Sequence, residues 1–233
     1  MTTKWIRPFG KIFFTWLTVA ILPGMAVWAE ESNPQQRTVD QAEDTVARFA
    51  ADPDMQWFRD YVVDAMGVLV VPVSVKGGFI VGASGGVGAL LNRGDDGSWS
   101  HPAFYQLTSV SLGLQAGADV SEVILVVMSE AGRDALLSTE LKLGADVSVA
   151  AGPVGAGAKS QTADVLAFSR SSGGLYGGLN LEGSLIKPKP VWNQSYYGQV
   201  VSPREILLER SVSNSGADAL RDVIASVARP PAQ

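Results

Sequence analysis

Gly67-Val-Leu-Val-Val-Pro-Val-Ser-Val75 is a long run dominated by β-branched residues. Five of its nine residues are valine, so it predicts a β-strand. Pro72 has no N–H to give to a ladder, which marks a sheet edge or a bulge. Moving downstream, Gly77 to Ser84 predicts a second strand. Gly85-Gly-Val-Gly88 predicts a bend ahead of Ala89-Leu-Leu91, and Asn92 to Gly97 a turn. Val120 to Met128 predicts a further strand. Leu141, Leu143, Ala145, Val147 and Val149 alternate with polar residues, as in one strand with a dry and a wet face. Val165 to Phe168 and Leu179 to Leu185 continue the β pattern.

Helices are predicted on both sides of this section. Thr38 with Gln41 has capping-box spacing, and Val39, Ala42, Val46, Phe49 and Ala50 fall on one helical face. Asp52-Pro53 stops that helix. A second one carries Met55, Phe58, Val62 and Ala65 on its apolar stripe, with Trp57 and Tyr61 beside it. At the other end, Ser202-Pro-Arg-Glu205 is a cap, a first-turn proline and a capping glutamate. A last helix from near Ser215 places Leu220, Val223, Ile224 and Val227 together, and Pro230-Pro231 ends it. The expected class is α+β: a curved antiparallel β-sheet or partial barrel flanked by N-terminal and C-terminal helices. Strands do not alternate regularly with helices, which argues against a doubly wound parallel sheet.

The first 29 residues read differently. Lys4, Arg7 and Lys11 precede an apolar run that ends at Ala26-Val-Trp-Ala29, and the chain turns polar at Glu30-Glu31. This is the layout of a secretory signal peptide, with cleavage expected near Ala29. The alternative is a retained anchor, for which the run is short and broken by Pro23-Gly24. The expected organisation is a signal segment over 1–29, a flexible leader over 30–37 and a single domain over 38–229. The expected compartment is the periplasm. Removing 1–29 leaves 15 basic and 23 acidic residues, net −8. That balance argues against nucleic acid as a partner and against general attraction to anionic surfaces. An anionic ligand then needs a local basic pocket.

The chain lacks several kinds of chemistry. It has no cysteine, which excludes disulfides, thiolate zinc sites and lipoprotein acylation. His101 is the single histidine and lies in a turn-like stretch without a nucleophile motif, which argues against an enzyme. Gly152-Pro-Val-Gly-Ala-Gly-Ala-Lys159-Ser160 departs from a Walker loop, because Ala158 separates the lysine from the second glycine. Its backbone N–H groups with Lys159 retain the option of cradling a lipid phosphate. No cofactor is implied.

Seven pieces of the sequence, in order, carry a resemblance. Ala65 to Phe79 resembles the motif "KGV…P…KGGF", Gly82 to Leu91 a glycine-rich bend ending "GVLL", and Trp99 to Phe104 "WSxPAF". Gly113 to Gly117 resembles "GxQxG", Leu143 to Pro153 "LGxDxSVAAGP", Phe168 to Leu175 "YSRSxGL", and Asn193 to Tyr197 "N…YYG". Together they resemble the SYLF (Ysc84-like, once called DUF500) family over about residues 40–210. That resemblance implies lipid binding, and for an exported bacterial member a phospholipid or membrane surface as partner, with the protein partner unknown. An envelope scaffold or protein-interaction module is the alternative. The lipid-phosphate candidates are Lys76, Lys142, Lys159 and Arg170, each with a plain alternative as a solvated strand-end charge. Arg170 stands out because it lies inside a family motif and arginine offers two donors to phosphate. Trp57, Phe58 and Tyr61 form either a membrane-interface face or part of the core.

Overall fold

The computed structural model describes residues 33–78, 81–112, 119–152, 163–171, 174–175 and 181–230. All of these belong to one unit, Ser32–Gln233. The signal segment and Lys159 lie outside the described residues. No helix among the described residues is long and apolar enough to cross a membrane.

Helix α1 spans Pro34–Ala51. It starts earlier than Thr38, so residues 34–37 are helical rather than leader. The reason is Asn33-Pro34: the Asn33 side chain accepts from the Gln36 N–H at 2.7 Å, and proline is pre-set for the first helical position. Thr38 instead donates to the Pro34 carbonyl within the helix. Asp52 ends α1 in an extended conformation forced by Pro53, then caps the turn Pro53–Met55 that leads into α2, Gln56–Val62.

The sheet is built from β1 (Gly67–Gly78), β2 (Val81–Asn92), β3 (Ala103–Leu112), β4 (Asp119–Val127), β5 (Leu141–Lys142), β6 (Val149–Ala151), β7 (Val165–Ser171), β8 (Gly174–Leu175) and β9 (Leu185–Pro188). Its order is β5-β9-β3-β2-β1-β4-β7-β6, with β8 paired to β7. The strands curl into a half-barrel. Every pair is antiparallel except β6–β7, which is parallel. The remaining helices are α3 (Glu130–Leu136), α4 (Pro190–Tyr197), α5 (Pro203–Leu207) and α6 (Asp218–Val227). The Ser202–Glu205 capping box of α5 forms as expected.

Two local expectations are corrected. Gly85 to Gly88 do not bend the chain away from the sheet; they lie within β2. The single strand expected over 141–149 is divided, because Gly144 takes φ +81° and reverses the chain after β5. The Asp146 carboxylate holds that reversal by accepting from the Lys142 N–H at 2.7 Å.

Both faces of the sheet are dry over much of its area. Val68, Val70, Leu91, Phe104, Ile124, Val126 and Phe168 pack with Phe49, Phe58, Leu220 and Ile224 of the helices. Leu69, Val71, Tyr105, Val123, Leu125 and Ile186 pack on the other side with Leu136, Leu141 and Ile206. Strand alternation puts successive residues into opposite cores, which explains why Gly67 to Val71 reads as one continuous apolar run.

Candidate functional site

The site begins at Pro72. In the β1–β4 ladder the register moves from Val71–Val123 to Ser74–Ser121, so Pro72 and Val73 together oppose Glu122. That is a β-bulge in a central strand, where a proline is otherwise not accommodated. The β1–β2 ladder shifts over the same residues, between Val70 and Val75. On that side β2 supplies glycine. A Cβ on Gly86 would lie 2.2 Å from the Val73 carbonyl, and one on Gly88 2.5 Å from that of Val70.

Beyond the bulge the sheet surface is wet. Val73, Val75 and Val120 are 40%, 52% and 47% exposed. Val75 and Val120 are register partners, and alternation puts Val73 and Glu122 on their face. Glu122 is in turn the register partner of Arg170 on β7. The strip of valines therefore runs directly into a group of charges.

Four charged side chains meet there. Arg48, from the last turn of α1, donates to Glu122 Oε1 through Nε at 3.0 Å and also through Nη2. The Thr45 hydroxyl donates to the same oxygen at 2.9 Å. Arg170 Nη1 lies 3.7 Å from the other oxygen, Oε2, and its Nε lies 3.4 Å from Asp52 Oδ2. The hydrogen bond to Glu122 raises the Arg48 pKa above its ordinary value, so the guanidinium stays charged.

The other expected residues are distributed elsewhere. Lys76 stands on β1 across from Ser84 and Asp119. Lys142 is exposed on β5 at one end of the strand order, whereas Arg170 is on β7 near the other. Of the candidates whose side chains are described, Lys142 and Arg170 thus stand on strands far apart in the sheet order. The structure instead pairs Arg170 with Arg48, a residue sequence reasoning missed. Its only sequence signal was a cation in the last turn of a helix, which helix-end electrostatics explains as well.

The aromatic candidates divide. Phe58 is corrected to core: it is fully buried, edge-on to Phe49 at 5.8 Å and to Phe168 at 5.7 Å. Trp57 is exposed, and it stacks on half-buried Tyr61 with ring centroids 6.2 Å apart. A groove of about 490 Å³ opens where α1, α2 and α6 meet, lined by Ala50, Arg59, Val63, Val227 and Arg229 among others. Arg59 is committed to the carbonyls of Ala50 and Asp52 there. In the core on the other face, a cavity beside Gly67, Leu90 and Leu207 holds only about 10 Å³, roughly one water and far short of an acyl chain.

A half-barrel with an exposed apolar strip beside paired arginines defines a surface suited to binding. Comparison with known proteins gives it a family. The model of the Ysc84 family, described as "Las17-binding protein actin regulator", matches residues 108–227, about half of the chain. The chain belongs to this family. It is 29% identical over 171 residues to SH3 domain-containing YSC84-like protein 1 of Bos taurus, covering 71% of this chain and 50% of that protein. It is 30% identical over 186 residues to Protein YSC84 of Saccharomyces cerevisiae, covering 76% and 39%. The Xenopus laevis SH3 domain-containing YSC84-like protein 1 is 33% identical over 144 residues, covering 59% and 42%. The chain thus spans half or less of the length of these relatives.

Proposed function

We propose that this chain is a non-catalytic module that binds phospholipid at a membrane surface of the bacterial envelope, exported by a signal segment cleaved near Ala29. The observation that supports this most is the exposed strip of Val73, Val75 and Val120 abutting Arg170 and Arg48. Apolar side chains left in water gain by entering the acyl boundary of a bilayer. Guanidinium groups beside them are placed for headgroup phosphates. The net −8 of the exported chain makes this a local contact, not a general attraction. Lys159, chosen on the sequence of the glycine-rich segment around it, is the second lipid-phosphate candidate in this reading.

The test is sedimentation with phospholipid vesicles. Arg170→Ala combined with Lys159→Ala lowers the bound fraction on anionic vesicles. A folded double mutant that sediments like the parent rejects these two residues.

A second reading is a protein-interaction module of the envelope. The family description supports it, since it names a protein partner, Las17. Stoichiometric capture of one protein from an envelope extract, with no lipid retained through purification, favours it.

A further inference from the structure

We infer that Arg48 and Arg170 form a phosphate-binding pair, and that Glu122 occupies the pair as an internal anion and sets its affinity. The inference rests on the lipid reading above and adds a regulator to the same site. The geometry carries it. The two guanidiniums contact opposite oxygens of one carboxylate, Arg48 at Oε1 and Arg170 at Oε2. They are therefore held about one carboxylate apart, a spacing that two oxygens of a phosphate also match.

The layering of the charges points the same way. The side chains of Arg48 and Arg170 are 45% and 36% exposed, whereas Glu122 and Asp52 are 18% and 14% exposed. The cations form the outer layer and the carboxylates the inner one. Arg170 sits at ion-pair distances of 3.4 and 3.7 Å from its two carboxylates, longer than a well-formed charge-assisted hydrogen bond. An incoming phosphate thus meets guanidinium first.

The backbone supplies an independent observation. The bulge at Pro72–Val73 lies directly opposite Glu122. Bulges concentrate where a sheet re-aims a side chain toward a site. This one takes in Pro72 on its own strand and leaves no room for a Cβ at position 86 on the next. Together Arg48, Arg170, Asp52 and Glu122 carry no net formal charge, so the pair as it stands attracts anions weakly. Removing the Glu122 charge converts the group to a net cation with its donors freed.

The ligand chemistry is a phosphate group, whether from a lipid headgroup or free in solution. The experiment compares the full protein with Glu122→Gln, which keeps shape and removes charge. The probes are vesicles of phosphatidylcholine containing phosphatidylglycerol, vesicles of phosphatidylcholine alone, and inorganic phosphate. The expected result is roughly three- to tenfold tighter binding to the anionic vesicles, with no change on the neutral ones. Adding Arg170→Ala abolishes the gain. A gain for inorganic phosphate with vesicle binding unmoved upholds the anion site and removes the lipid reading. No gain for either probe overturns the inference and leaves Glu122 as a tie between α1 and the sheet. If Glu122→Gln does not fold, Glu122→Asp serves. It draws the carboxylate back by one methylene and gives a smaller gain of the same sign, and an unchanged affinity in that variant overturns the inference.

Discussion

Pro72 and Glu122 face each other across the β1–β4 ladder. Two β1 residues oppose one on β4, so the proline, which has no N–H to give, falls where the ladder is already interrupted. On its other side Glu122 lies beside Arg48 and across from Arg170, in a β4–β7 ladder whose register runs on without a shift. The bulge thus solves a backbone problem directly opposite the charged site.

Its tolerance is narrow on the β2 side. Gly86→Ala puts a Cβ 2.2 Å from the Val73 carbonyl and 2.7 Å from Val71 Cγ1. The first obstacle is backbone, so the strands must separate. The expected loss is about 1–3 kcal/mol, read as a lower urea midpoint with the slope unchanged. A variant as stable as the parent means the strands separate at the bulge at little cost.

Adjacent residues of α2 separate core from surface. Phe58 fills the space between Phe49 and Phe168 and is fully buried, so Phe58→Ala leaves a cavity and costs about 3–5 kcal/mol. Trp57→Ala removes a stack on Tyr61 at an exposed position and costs no more than about 1 kcal/mol. Thermal melts of the two variants give the comparison, and equal losses contradict the assignment of Phe58 to the core.

His101 gives the fold a pH dependence. It is half-buried, and its Nδ1 accepts from the Asn214 N–H at 3.4 Å, tying the loop before β3 to the segment before α6. Burial lowers its pKa below the ordinary 6.5; Arg221 acts in the same direction and Asp218 opposes it. In the window below 6.5 the unfolded chain therefore binds more protons than the folded one, and stability rises with pH. The contribution is complete above 6.5 and is lost as pH falls through the folded value. His101→Gln flattens this part of the curve, measured as urea midpoint against pH.

How much of this was legible in the sequence depended on whether the signal was local. Caps and breakers are local, so Asp52-Pro53 and the Ser202 box were read directly. Asn33-Pro34 was just as local and was overlooked in favour of Thr38. Gly85 to Gly88 misled, because a glycine run signals a bend or a close approach of strands equally well. Only the neighbouring carbonyls of Val70 and Val73 decide between the two. β3 went unread because Ala103 to Leu112 is buried on both faces at its start and shows no clean alternation there. The Arg48–Glu122–Arg170 group is non-local in the strongest sense. Its members lie 74 and 48 residues apart, and only the β4–β7 register and the end of α1 bring them together.

The valine strip makes the last prediction, and it separates membrane contact from fold. Val73, Val75 and Val120 are roughly half exposed, so replacing all three with serine removes little core packing. Stability should change by less than about 1 kcal/mol in total. Insertion into the acyl boundary, by contrast, loses roughly 1 kcal/mol per valine, given that each still has about half its apolar surface to bury. Across three positions that amounts to vesicle binding weaker by on the order of 100-fold. Val75→Leu, which enlarges the apolar surface at the most exposed of the three, should move binding the other way. Because neither change touches a charge, both effects persist at high salt, where the arginine contribution is screened. A triple-serine variant that melts with the parent and binds vesicles equally well assigns the strip to some other partner.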